Sequence, residues 1–207
     1  MHKEPSAGAL HSNTSRKGIN MKTRSLWIAF LVIIAAYPIF AVELLTREDA
    51  VKRMFLTSER VDQETKTLTS AQLSAVTGKL GGKLYAIKKP ASANEAEYTF
   101  YYGIKGGKRT SVAIIEEQED KWGPLQFIIV IDLTTKKVEN MAMMKYIDGR
   151  ARNLSNRTFL KGFFGKGLAD HIAIGKDIDG VSGATVSSDM LCFMVRKAIL
   201  VYEAVYP

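Results

Sequence analysis

Ten residues toward the C-terminal end carry the densest chemistry of this chain: Asp179-Gly180-Val181-Ser182-Gly183-Ala184-Thr185-Val186-Ser187-Ser188. They combine a carboxylate, glycines and hydroxyls, and an apolar helical sequence follows them. The segment therefore reads as a turn that feeds the N-terminus of a buried helix. Free backbone N–H groups and the positive end of the helix dipole favour an anion at such a place. Small residues at 182–184 let a phosphate approach the backbone closely. The same residues also read as an ordinary capped turn, with Ser187 or Ser188 as N-cap. Residue types alone leave both readings open.

The rest of the chain narrows the redox chemistry within reach. Cys192 is the only cysteine. An intramolecular disulfide, a thiolate-ligated iron–sulfur cluster, a Cys-x-x-Cys pair and c-type haem attachment are all excluded by that count. Beyond residue 42 the only histidine is His171, which leaves little for a histidine metal site or a Ser-His triad. Redox chemistry would therefore fall to an organic cofactor. Gly103 to Lys108 fails the P-loop spacing and reads as a turn. Arg150, Arg152, Arg157, Lys161 and Lys166 form a basic stretch with no acid between them. It is either a solvated face or a set of cations that neutralises a phosphate or a reduced cofactor, with Arg150 and Arg152 foremost.

An N-terminal leader and one folded part organise the 207 residues. Leu26 to Val42 is an unbroken apolar run, preceded by Lys22 and Arg24 and by a second methionine, Met21. A basic region, a short apolar stretch and a small residue, Ala41, are the parts of a secretory signal peptide. The run also reads as an uncleaved anchor, and in either case residues 42–207 are expected outside the cytoplasm, because the positive flank stays inside. Residues 1–20 are polar and without periodicity, and are expected to be a disordered extension. The whole chain has 29 basic and 21 acidic residues, a net charge of +8; five of those bases and one acid precede Val42, leaving a net +4. Nucleic-acid binding needs a denser basic patch and a recognisable motif, so no nucleic-acid partner is expected.

From residue 42 the pattern is α+β. Thr46 caps a short helix in a variant capping box, with Ala50, Val51, Met54 and Phe55 on its apolar face. A second helix is predicted from Ser70 to Thr77, with Thr69 as cap and Gly78 as stop, after a polar linker at 57–66. Strands are predicted at Lys83–Lys88, Tyr98–Gly103, Thr110–Glu116, Leu125–Asp132 and Lys137–Lys145, with turns at Gly106-Gly107 and Thr134-Thr135. The continuous apolar run at 127–131 marks a central strand covered on both faces. A basic loop at 148–156 and a short helix around Arg157–Phe164 follow. A long buried helix from about Ser187 to Val205 ends the chain. The fold class is one domain with a central, mostly antiparallel sheet, two short N-terminal helices and a long C-terminal helix packed against the sheet.

Taken residue by residue, the segment at 179–187 resembles the flavinylation motif Asp-x-x-Ser/Thr-Gly-Ala-Thr-x-Ser/Thr of the FMN-binding domain family. That family includes the G subunit of Rnf electron-transport complexes and the C subunit of sodium-pumping NADH:quinone reductase. Asp179, Ser182, Gly183, Ala184, Thr185 and Ser187 fill its fixed positions. Trp122-Gly123-Pro124-Leu125, Phe159-Leu160 to Phe163-Phe164-Gly165-Lys166 and Leu45 to Ala50 are similar as well. The loop at 146–152 departs from the family's Glu-Thr-Pro-Gly stretch, so no flavin contact carries over to it. The resemblance implies FMN bonded covalently through its phosphate to the Thr185 hydroxyl, the bond being made by a flavin transferase that uses FAD and magnesium. It also implies membrane or periplasmic redox partners, and an electron carrier or complex subunit with no catalytic group or metal of its own. The alternative is a flavin-free exported adaptor on the same fold.

Overall fold

The computed structural model describes residues 41–91, 93–119 and 122–207. The extension and the signal-or-anchor segment lie outside the described residues, except for Ala41 and Val42. The described elements run β1 (Val42–Glu43), α1 (Arg47–Met54), β2 (Arg60–Thr67), α2 (Ser70–Lys79), β3 (Glu97–Lys105), β4 (Lys108–Glu119), β5 (Pro124–Asp132) and β6 (Lys137–Tyr146). A 3₁₀ helix (Gly149–Ser155), α3 (Arg157–Lys161) and α4 (Thr185–Val205) complete them.

The six strands form one antiparallel sheet in the order β1-β6-β5-β4-β3-β2. Its central strand explains the continuous apolar run. Phe127, Ile129 and Ile131 join the core beneath α4, while Ile128 and Val130 join a smaller core with Ala50 and Phe55 at α1. Successive side chains of a strand point to opposite faces, so a strand buried on both sides needs apolar residues at every position. α4 supplies thirteen buried residues and forms the floor of the main core. Cys192 lies among them, and burial pushes its thiol up to about 12. A thiol held protonated in this way is inert packing.

The helix caps follow the sequence. The Thr46 hydroxyl accepts from Asp49 N at 3.1 Å, and Thr69 and Gln72 form a complete capping box. α2 runs on through Gly78 to Lys79 rather than stopping there.

Four predicted elements require correction. The segment 57–66 is largely β2, an edge strand paired along its whole length with β3. It is polar because its outer edge and much of its surface face water, and its order comes from the ladder and from Glu64, which binds Arg109 at 3.0 Å and Tyr206 at 2.8 Å. Charge on an edge strand also discourages pairing with another chain. Lys83–Lys88 is not a strand; it makes a single bridge, Lys88 to Glu119, and Ala86 N donates to the Gln118 side chain at 2.8 Å. The basic loop is a 3₁₀ helix capped by Asp148, whose carboxylate accepts from Arg150 N at 3.0 Å. The helix after it ends at Lys161, with Phe163 and Phe164 in the following turn.

Candidate functional site

The turn at 181–184 is closed by Ala184 N donating to Val181 O at 3.0 Å. Gly183 sits at φ +77°, and a Cβ placed there would meet nothing. Its requirement is therefore conformational, since an L side chain pays a steric cost in that region. Ser188 ties the turn to the helix: its Oγ donates to Ala184 O at 2.9 Å and accepts from Val181 N at 3.3 Å. The N-cap position of α4 is Ala184, which gives no side-chain cap, so the expectation of Ser187 or Ser188 as N-cap is overturned. Ser188 instead braces the turn from inside the first turn of the helix.

α4 consequently begins two residues earlier than predicted, at Thr185. The hydroxyl-bearing Thr185 is exposed, and it is the first helical residue. The N–H groups of Thr185, Val186 and Ser187 have no acceptor within the helix, as at any helix start. A side-chain cap would have taken one of these donors. Its absence leaves all three for an external acceptor.

Thr185 opens onto a cavity of about 450 Å³. The turn and helix contribute Gly183, Ala184, Thr185, Val186 and Ser187; Trp122, Asp148 and Arg150 form the opposite side. Trp122 precedes β5 and Asp148 and Arg150 follow β6, so the sheet brings together residues that are far apart in sequence. Arg150 Nε binds Asp148 at 3.1 Å, and its guanidinium lies 5.8 Å from the centre of the Trp122 ring. Partial burial of Asp148 works against its charge, but the bonds from the Arg150 side chain and backbone outweigh it and hold the carboxyl below its ordinary value. The pair places one guanidinium and one carboxylate at the cavity.

Of the six residues expected at the site, Gly183, Ala184, Thr185 and Ser187 line the cavity, whereas Asp179 and Ser182 are exposed outside its lining. Asp179 makes no hydrogen bond or ion pair with a described residue. The basic stretch is divided by the fold. Arg150 lines the cavity and Arg152 does not. Arg157 binds Asn140 at 2.8 Å and lies over Phe164, and Lys166 is within 3.5 Å of Asp177. The aromatic side at 159–164 is core, with Leu160 and Phe163 buried.

Sequence reasoning passed over Asp177. Its carboxylate accepts from Ile172 N at 3.1 Å and Ala173 N at 3.0 Å, bracing the loop that leads into the motif. Burial opposes its charge, but those two backbone bonds and Lys166 lower it overall. The signal was a carboxylate two residues before Asp179, at a position with no sequence-based expectation.

Anion binding fits this arrangement. Backbone donors and one guanidinium face a volume typical of small-molecule sites, roughly 300–1,000 Å³. A roomier cavity of about 530 Å³ between α1 and β2 contains no motif residue. Size therefore does not select the site; donors and hydroxyl do. The sequence profile of the FMN-binding domain matches residues 57–200. The chain belongs to the FMN-binding domain family. Comparison with curated proteins gives no match. Membership assigns FMN as the flavin that this domain binds. Among the described residues no group of acids, histidines and cysteine is placed to hold a metal ion, and no helix is long and apolar enough to cross a membrane.

Proposed function

We propose that this FMN-binding domain is an exported electron-transfer flavoprotein that carries FMN as a phosphoester on Thr185 Oγ1. It works freestanding or as a subunit of a membrane redox complex. The observation that carries the reading is the exposed Thr185 hydroxyl, at an uncapped helix N-terminus, beside a cavity that holds Arg150. The leader at 21–41 supports export, and the motif supports maturation by a flavin transferase. In that step the Oγ1–P bond forms as the pyrophosphate bond of FAD breaks. AMP leaves with the bonding pair, and the hydroxyl proton passes to base.

When bound, FMN supplies the electron chemistry. The chain's own residues hold and tune it. The N–H groups of Thr185, Val186 and Ser187 and the Arg150 guanidinium would donate hydrogen bonds to its phosphate, and Trp122 would give the cavity an aromatic wall. A covalent tether suits a compartment with no free FMN to refill a leaky site. The test is the intact mass of protein made alongside the transferase: a gain of one FMN supports the reading, and an unmodified mass overturns it.

Two further results are expected. Asp179→Ala should reduce covalent loading sharply while leaving the thermal midpoint of the apo protein unchanged within about 2 °C, because an exposed side chain without partners contributes little to stability. Equal loading would make Asp179 a turn residue only. Arg150→Gln should lower the flavin potential by roughly 20 to 40 mV. A partly exposed cation stabilises added negative charge by about 0.5 to 1 kcal/mol, and a tenfold change in a one-electron equilibrium is about 59 mV. Arg152→Gln should leave the potential unchanged, since Arg152 lies outside the cavity lining. Spectroelectrochemical titration measures both.

A further inference from the structure

β3 and β4 diverge inside the sheet. Their ladder runs from Lys105 and Lys108 to Phe100 and Ile114, and stops there. β3 continues back to Glu97 against β2, and β4 continues on to Glu119 against β5. A polar cavity of about 480 Å³ lies in this fork. Its lining comes from both faces of the sheet: Tyr98 and Glu116 from the face toward α4, Tyr101 and Ile115 from the face toward α1. At its floor Lys197 Nζ lies 2.9 Å from one oxygen of Glu116, with the two side chains almost wholly buried. The other oxygen, Glu116 Oε1, has no hydrogen-bond partner. Neither has Gln118 Nε2, two residues further along the same face of β4. These are two of the three buried side-chain nitrogen and oxygen atoms left without a partner among the described residues. Buried polar atoms are ordinarily satisfied, so an orphaned acceptor and an orphaned donor together call for an explanation.

We propose that the fork binds an uncharged, polyhydroxylated molecule of monosaccharide size, with one ligand hydroxyl seated on the Glu116–Lys197 pair. The inference is independent of the flavin, and holds for apo and loaded protein alike. Three bases, Arg47, Lys145 and Lys197, and three acids, Glu97, Glu116 and Glu117, line the cavity, so it favours no net charge. A cation on Glu116 Oε1 would stand beside the ammonium that the same carboxylate already holds, and would be repelled. A hydroxyl meets no such opposition. It donates to Oε1 and accepts from one of the three N–H groups of the ammonium, of which Glu116 takes one. The carboxamides of Asn94 and Gln126 and the Thr99 hydroxyl add donors and acceptors on the walls. Residues 116 and 118 stand about 7 Å apart along the strand, comparable with the width of a sugar ring. The volume is within the range of small-molecule sites. Tyr85, whose ring lies 4.9 Å from the ammonium, belongs to the irregular segment after α2. That segment meets β4 through Lys88–Glu119 and Ala86–Gln118 rather than through a ladder. Such a wall yields at lower cost than a paired strand, which opens the buried pair to a ligand.

The test uses the full chain and ligand-observed saturation-transfer NMR, with D-glucose, D-mannose, D-ribose and myo-inositol as probes and glycine as a zwitterionic control. At least one of the four should receive saturation from the wild type. The signal should fall at least fivefold in Lys197→Met/Glu116→Leu, which replaces the pair by apolar residues that a core tolerates. Ala93→Phe fills the cavity from a half-buried wall position and should give the same loss. Far-UV circular dichroism checks both folds; if the double variant does not fold, Ala93→Phe decides. Absence of transfer to all four probes overturns the proposal. So does undiminished transfer in the folded variants, which would put binding elsewhere, and so does transfer to glycine alone, which would make the site one for zwitterions.

Discussion

Thr185→Ala is expected to eliminate flavin fluorescence from the denatured protein in a gel, while the folded apo protein keeps its circular dichroism and thermal midpoint. The substitution removes the only exposed hydroxyl at the start of α4. It removes no hydrogen bond to a described residue, and alanine is a better helix former than threonine. A stability change beyond about 0.5 kcal/mol is therefore not expected at so exposed a position. Loading and folding separate cleanly, which makes the variant a test of chemistry. Ser187 cannot substitute as acceptor, because it is 4% exposed. Ser182 is exposed on the same turn, so covalent flavin persisting in Thr185→Ala would move the bond there and overturn the assignment. Thr185→Ser keeps an oxygen at the same position, and its loading shows whether the transferase reads the threonine methyl.

The proposed attachment residue was legible through the resemblance of 179–187 to the family motif, since residue types alone left an ordinary capped turn equally open. The turn and helix start around it were legible locally. Gly183 at positive φ, a small residue after it and a helix start are features of a few consecutive residues. The caps at Thr46 and Thr69 were legible for the same reason. The central strand was legible because burial on both faces writes itself into consecutive residues. β2 was not, since only Val61 among its eight residues is a strong strand former of apolar type, and its partner strand supplies the order. Lys83–Lys88 misled in the opposite way. Leu84 and Ala86 alternate as a strand would and do pack against the core, yet their backbone meets the Gln118 side chain instead of a ladder.

The far side of the site lay beyond local pattern. Trp122 and Arg150 converge on Thr185 only because the chain reverses between β5 and β6 and sets the residues flanking that hairpin beside the start of α4. Within the basic stretch, spacing along the chain did not separate Arg150 from Arg152; the 3₁₀ helix does, by placing one in the cavity lining and the other outside it. Lys197 was equally hidden. It lies in the helix predicted as long and buried, where a lysine almost never enters a core without a partner.

That partner is Glu116, and breaking the pair should have the largest effect on stability. Lys197 Nζ lies 2.9 Å from a Glu116 oxygen, with the two side chains 5% and 2% exposed. The rings of Tyr85 and Tyr98 lie 4.9 and 5.5 Å from the ammonium, and the second Glu116 oxygen has no hydrogen bond. Removing one member of a buried pair typically costs about 3–5 kcal/mol, because the other charge is left without compensation. Lys197→Met is expected to lose that much at neutral pH. The double variant Lys197→Met/Glu116→Leu should recover most of it, since two apolar residues satisfy the core as well as the pair does. The loss should also depend on pH in a defined direction. Burial raises the Glu116 carboxyl, and Lys197 draws it back down. Without the lysine only burial remains, so the folded-state value rises further above the unfolded one, which is about 4.3. A group raised in the folded state binds more protons there, so the variant's stability falls as pH climbs above that unfolded value, by up to about 1.4 kcal/mol per unit, until the folded group itself ionises. Urea melts of the variant should thus lie close to wild type near pH 4.5 and well below it at pH 8. A deficit of the same size at both would show that the loss comes from packing around the Lys197 stem rather than from an unpaired carboxylate.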